Sequence, residues 1–274
     1  QARDDVIRVP VTNAGIIDLD ALDLALAGAP KPALVSVMLA NNETGVIQPV
    51  AEMVEVAKRH GAFSHCDAAQ ALSKMPIDLQ ALGVDMMSLS GHKCGGPAGV
   101  GALVVTERLE PAKWQFGGGQ EKRRRPGTEN LAGIVGFGVA AELAGEEIND
   151  FLALGPWRDA MEAEIRQHIP QAIVLGDRQS RLANTSNLVL PGVAAQTQVM
   201  ALDLSGFAVS SGSACSSGRV DPSHVVEAMM GDPDVASCAL RVSAGWSTLE
   251  SDFQGFTQAY IRMAKRQLRK LAAA

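Results

Sequence analysis

The feature that most constrains this fold is the run Ala33-Leu34-Val35-Ser36-Val37-Met38, apolar except for Ser36. A short run of this kind reads as a strand buried on both faces, as in a sheet layered between helices. The next residues continue the theme. Asn41-Asn42-Glu43-Thr44-Gly45 breaks the run, Pro49 opens an amphipathic helix to about His60, and Gly61 sits where a helix C-terminal glycine belongs. Ala62 to Cys66 reads as a second strand ending at Asp67. Asp85 to Leu89 reads as a third ending at Ser90, and Gly99 to Val105 as a fourth. Near the start, Val6-Ile7-Arg8-Val9 also has the look of a strand. This alternation predicts an α/β fold with a mostly parallel sheet flanked by helices.

Beyond Arg125-Pro126-Gly127-Thr128 the Gly- and Ala-rich stretch from about Asn130 to Glu147 predicts a closely packed helix. From about Asp150 the pattern changes. A polar amphipathic helix (Trp157 to His168) precedes strands near Ala172-Val174 and Ser186-Leu190 and a helix near Gln196-Leu204. A Ser/Gly-rich loop surrounds Cys215, and a helix from about Leu249 to Leu271 closes the chain. The expected division is a large domain over 1–149 and a smaller C-terminal α+β domain over 150–274.

Composition excludes several classes. The 274 residues are 47% hydrophobic and 20% charged, with a formal net charge of -6, which argues against a nucleic-acid partner. The single basic cluster, Lys122-Arg123-Arg124-Arg125, is cut off at once by Pro126-Gly127. No apolar run approaches the roughly 18 residues that a spanning helix needs, so no membrane role is expected. Cys66, Cys94, Cys215 and Cys238 show no CxxC spacing, and the five histidines form no ligand-spaced cluster. That excludes a predicted metal site and fits a reducing, cytoplasmic setting.

Sheets of this type place ligands at the carboxyl ends of their parallel strands. Three such ends carry unusual chemistry: Asn41-Asn42-Glu43, His65-Cys66-Asp67-Ala68-Ala69-Gln70, and Ser90-Gly91-His92-Lys93. Asp67 alone reads as an ordinary cap, and a lone lysine as a solvated charge. Lys93, however, follows an apolar strand, is flanked by His and Ser, and runs into Cys94-Gly95-Gly96-Pro97-Ala98-Gly99. A Schiff-base lysine needs such a setting, because its amine must be fixed and partly desolvated.

Ser90-Gly91-His92-Lys93, with Gly96-Pro97-Ala98-Gly99-Val100-Gly101 behind it and Asp67-Ala68-Ala69-Gln70 ahead of it, resembles the cofactor motifs of the class V aminotransferase family. Ser210-Ser211-Gly212-Ser213-Ala214-Cys215-Ser216-Ser217-Gly218 resembles the active-cysteine loop of its NifS/IscS-like cysteine desulfurase branch. The resemblance implies a fold-type I enzyme carrying pyridoxal 5'-phosphate on Lys93, with Asp67 on the ring nitrogen and Gln70 on the phenolic oxygen. It further implies Asn42 against ring and substrate, and Ser90 and His92 on the phosphate, helped by Thr128 from the second copy of a homodimer. Arg241, in Leu240-Arg241-Val242-Ser243, would take the substrate carboxylate. The implied reaction converts L-cysteine to L-alanine. Lys93 and His92 handle the proton, and Cys215 accepts sulfur as a persulfide for an acceptor such as an iron–sulfur scaffold or a tRNA-thiolation protein.

The residues themselves favour Cys215 as the mobile thiol, since small neighbours let it travel, whereas Cys94 is fixed in the lysine turn. Ala244-Gly245-Trp246 departs from the family pattern, where a further arginine is common. A selenocysteine lyase, another class V enzyme, or an inactive truncated chain stays open as an alternative. The family's chains start roughly a hundred residues earlier, about the size of a sub-domain layer, and that part normally supplies a ring-stacking histidine and a phosphate loop. The isolated chain is therefore expected to bind the cofactor weakly.

Overall fold

The computed structural model of the chain describes residues 6–113, 115–212 and 222–273. In chain order the elements are α1 (Leu19–Gly28), β1 (Leu34–Met38), α2 (Val50–Arg59), β2 (Phe63–Asp67), α3 (Leu79–Leu82), β3 (Met86–Ser90) and β4 (Gly101–Val105). Next come α4 (Leu131–Glu146), α5 (Ile148–Leu152), α6 (Leu154–His168), β5 (Ile173–Val174), β6 (Thr185–Val189) and α7 (Ala195–Asp203). Then β7 (Ser210–Ser211), α8 (His224–Met230), α9 (Pro233–Ala236), β8 (Ala239–Ser243) and α10 (Glu250–Ala272) complete the chain.

These elements form two compact units, one of residues 19–39 and 49–148, the other of the described residues within 1–18, 40–48 and 149–274. The division differs from the expected 1–149 and 150–274 in where it puts 1–18 and 40–48. The reason lies in their partners. Val46 bridges Arg181, and Ile47 N donates to Ser180 O. Gly45 O accepts from Leu182 N. The Asn41–Gln48 stretch is therefore hydrogen-bonded into the later half of the chain.

In the first unit, β1, β2 and β3 are parallel neighbours, and β4 adds antiparallel to β3. The α/β expectation holds, with β4 as the one reversed strand. Helix α2 buries Val50, Met53, Val54, Val56 and Ala57, and its side of the sheet carries the buried Val35, Ser64, Cys66 and Met87. Gly61 adopts φ 65 directly after α2, where left-handed backbone closes a helix. Strand pleating sends alternate residues to opposite faces. The other face bears Leu34, Ser36 and Met38 of β1, His65 and Asp67 of β2, Ser88 and Ser90 of β3, and Leu103 of β4. Leu34 and Leu103 are each 55% exposed and Met38 40% exposed, so this face is open. A buried pin ties β2 to β3: Ser64 N and Oγ donate to Asp85 Oδ2, and Arg108 donates from Nε and Nη2 to the same carboxylate.

The second unit holds an antiparallel sheet in the order β5-β6-β8-β7. Every residue of β6 is buried. Leu188, Leu190 and Leu240 pack with Met161, Ile165, Leu202, Phe256 and Tyr260 from α6, α7 and α10. Val189 and Ala239 pack with Val226 and Met229 of α8 and with Ala236 of α9. Both faces are thus covered, and this is the α+β layer anticipated for the C-terminal part. The stretch read as a strand at Val6-Ile7-Arg8-Val9 is coil. Among the described residues no strand lies alongside it, and the nearby Val11 forms a single bridge with Ile17. Among the described residues no helix is long and apolar enough to cross a membrane, and no cluster of His, Cys, Asp and Glu could hold a metal.

Candidate active site

In the first unit the parallel strands carry a cluster of chemical groups at their carboxyl ends. Asp67 is the last residue of β2, paired in register with Ser88, and Ser90 ends β3 on the same face. Beyond Ser90 a 3-10 turn, Gly91–Cys94, presents His92 and Lys93. Gly91 N donates to Val100 O and Gly96 N to Gly91 O, so the lysine turn is knitted at both ends. Gly101, opposite Ser90, admits no side chain: a Cβ there would lie 2.6 Å from Leu89 O. Cys94 is held inside the turn, its Sγ donating to Gly91 O at 3.2 Å, as its place beside Lys93 implied.

Asp67 caps the turn after β2 rather than a helix, with Oδ1 accepting from Ala69 N at 2.9 Å. Its carboxylate is otherwise exposed. Ser90 Oγ lies 3.0 Å from His92 Nδ1, and the imidazole tautomer sets which of the two donates. Gln70 Oε1 accepts from Lys74 Nζ at 2.7 Å, which leaves the Gln70 amide hydrogens for another acceptor. Lys93 and His92 are exposed, and Lys93 has no hydrogen-bond or ion-pair partner among the described residues. The partly desolvated amine expected there is not found, since the sheet face next to it is open. Thr128 is exposed in the loop before α4. Upstream on the open face, His65 bonds Ser36 Oγ at 2.8 Å; burial lowers its pKa, with Asp67 opposing. Cys66, on the covered face, has its thiol pushed up to about 12 by burial and by Asp67, so it stays protonated and inert.

The second unit holds Asn42 and Arg241. Arg241 lies in β8, opposite Asn187 of β6 and Ser210 of β7. It was expected as a carboxylate ligand without a strand being recognised around it. Its Nη1 donates to Asn42 O at 3.2 Å and its Nη2 to Ser210 Oγ at 3.3 Å. No carboxylate of the described residues forms an ion pair with it, so its full charge is held by neutral oxygens. Nε is buried and unbonded. Asn42 thus meets Arg241 through its backbone. Its neighbour Glu43, given no role from sequence, is 0% exposed and bonds Ser223. Only the polar cluster Asn41-Asn42-Glu43 at a strand end signalled it. Gly45 closes this turn at φ 75, with space for no side chain, since a Cβ would sit 3.0 Å from Thr185 Cβ. Cys215 lies outside the described residues.

The open strand ends suit a phosphorylated pyridine aldehyde. A carboxylate, a primary amine and a Ser–His pair match a cationic ring nitrogen, an aldehyde and a phosphate, and all three lie in one unit. Residues 2–256 match the class V aminotransferase family, and the chain belongs to that family. The family is generally dependent on pyridoxal phosphate. Within it, a cysteine desulfurase of Sinorhizobium fredii (strain NBRC 101917 / NGR234) is 44% identical over 248 residues, covering 90% of this chain and 64% of the relative. A cysteine desulfurase of Cereibacter sphaeroides is 46% identical over 244 residues, covering 89% and 62%. The structure of a NifS-like protein from Rickettsia africae ESF-5 superposes with a TM-score of 0.85 at 32% identity, covering 94% of this chain and 69% of that one. The chain therefore spans somewhat less than two thirds of the length of these curated relatives.

Proposed function

We propose that this chain is the catalytic part of a pyridoxal-phosphate-dependent cysteine desulfurase. The observation that carries the reading is the set Asp67, Ser90, His92 and Lys93 at adjacent strand ends. In this assignment Asp67 holds the ring nitrogen, Gln70 the phenolic oxygen, and Ser90 and His92 the phosphate. The partner subunit's Thr128 reaches the phosphate across a homodimer. Support for that homodimer comes from α4, which follows Thr128 and exposes Leu131, Ile134, Val135, Val139 and Leu143 at helical spacing. Because Asp67, His92 and Lys93 are exposed, the chain by itself is expected to hold the cofactor weakly.

Once bound, pyridoxal phosphate supplies an electron sink for the substrate's α-carbon. Arg241 would take the α-carboxylate of L-cysteine in a bidentate grip, and Asn42 is assigned to ring and substrate. The Lys93 amine, with His92, removes the α-proton and returns a proton to carbon. The Cys215 thiolate attacks the substrate sulfur, so an S–S bond forms as the carbon–sulfur bond breaks and its electron pair stays with carbon. The products are L-alanine and a persulfide on Cys215, which passes to an acceptor protein of iron–sulfur cluster assembly or thiolation. Free Cys66, Cys94 and Cys238 fit a reducing cytoplasm.

The test is a pair of variants. Lys93→Ala should abolish the visible absorbance of the bound cofactor. Cys215→Ala should keep that absorbance and lose sulfide and persulfide release, by at least about 100-fold in kcat. Full turnover by Cys215→Ala would refute the assignment, and activity confined to selenocysteine would redirect it to a lyase.

A further inference from the structure

Glu43 is a fully buried carboxylate that the reaction above does not use. Burying a carboxylate is costly unless donors surround it. Yet among the described residues this side chain has one donor, Ser223 Oγ, at 2.6 Å, and its second oxygen has none. The backbone around it is set firmly. Asn41 Oδ1 accepts from the N–H groups of Glu43 and Thr44 at 2.9 and 3.0 Å, and Glu43 O accepts from Asn187 Nδ2 at 3.3 Å.

What the carboxylate grips makes it informative. Ser223 also caps α8 by accepting from Val226 N at 3.1 Å, and it follows the segment 213–221 that contains Cys215. On the other side of that segment, Gly212 N donates to Ala239 O. A Cβ built on Gly212 would lie 3.2 Å from Ser223 Cβ. The start and the exit of the cysteine segment are therefore side by side, the start fastened to β8 and the exit to Glu43. The residue before Glu43, Asn42, accepts from Arg241 through its carbonyl.

We propose that Glu43 is a positioning residue for the sulfur-transfer step: its carboxylate, through Ser223, fixes the exit of the Cys215 segment to the same turn that holds Arg241. This rests on the desulfurase reading above only for the reaction served, not for the clamp itself. Glu43→Leu removes the acceptor while keeping the site filled, Ser223→Ala removes the donor, and Ser223→Thr retains a hydroxyl that both donates and caps.

Two measurements separate the clamp from the reaction. In the cofactor-free chain, carboxamidomethylation of each cysteine by iodoacetamide is timed by peptide mass spectrometry. Glu43→Leu and Ser223→Ala should raise the rate at Cys215 several-fold, and Ser223→Thr should leave it at the wild-type value. Buried Cys66 and Cys238 should not change, which a merely structural role would not achieve, because general loosening exposes them as well. In the cofactor-loaded chain, persulfide formation on Cys215 from L-cysteine should fall at least tenfold in Glu43→Leu and in Ser223→Ala, and should stay at the wild-type value in Ser223→Thr. Unchanged alkylation at Cys215, or equal acceleration at all the cysteines, overturns the clamp. Persulfide formed as fast by Glu43→Leu as by wild type overturns its role in transfer. A wild-type chain shown to be saturated with cofactor that makes no persulfide would instead overturn the desulfurase reading, with the alkylation result still deciding the clamp.

Discussion

The two sheets of this molecule are built to different degrees of closure. The antiparallel sheet has helices α6, α7 and α10 on one face and α8 and α9 on the other, and its strand β6 is buried throughout. The mostly parallel sheet has α2 on one face and leaves Leu34, Met38 and Leu103 open on the other. The groups assigned to the cofactor stand at the edge of the open face, and those assigned to the substrate carboxylate lie in the closed sheet. A ligand needs an accessible surface and a fixed guanidinium needs packing around it, so the contrast follows the division of chemical labour.

Substitutions can break this contrast, and the largest effect belongs in the closed unit. Arg181 and Glu162 form a bidentate pair at 2.8 Å for both bonds, with side chains 3% and 2% exposed. Arg181→Ala strands a buried carboxylate and should cost about 3–5 kcal/mol, read as a drop in urea midpoint. The open unit has its own pin at Asp85, and Asp85→Asn should cost about 1–3 kcal/mol at neutral pH. Burial works to raise the Asp85 pKa, but the Arg108 guanidinium and the Ser64 donors outweigh it and hold it below the ordinary value of 3.8. A depressed carboxylate stabilises the fold above its unfolded pKa, and that contribution is lost as pH falls through the lower folded value. The wild-type advantage over Asp85→Asn should therefore be constant near neutrality and vanish in acid, in a series of denaturation curves from pH 7 down to 2. The smallest effect is expected at the open face, where Leu103→Ser should shift the midpoint by no more than about 0.5 kcal/mol. A loss of about 2 kcal/mol there would show that something covers this face in solution.

The sequence was most readable where a local rule met its tertiary partner. Helix α2 begins beside Pro49 and closes with Gly61, and Lys93 sits in a glycine-rich turn past an apolar strand. Both are short-range patterns. Strand β8 was missed because an arginine interrupts its alternation, and only Asn187 and Ser210 on the neighbouring strands make the middle of a sheet a suitable place for it. Val6–Val9 has strand propensity without a neighbour to pair with among the described residues, and propensity alone does not make a strand. Helix α1 carries a local signal in the spacing of Leu22 and Leu26, four residues apart, and both are buried. Glu43 could not have been recognised as buried, since nothing local distinguishes a core carboxylate from a surface one.

The Asn41–Gly45 turn has one more consequence. Arg241 holds its Asn42 carbonyl and Ser223 its Glu43 carboxylate, so two grips act on consecutive residues of a single rigid hairpin of backbone. If a ligand that draws the guanidinium off Asn42 changes the free energy of the Ser223 grip, the coupling runs both ways. Thermodynamic reciprocity then requires that loosening Ser223 alter, by the same factor, the affinity of the guanidinium for that ligand.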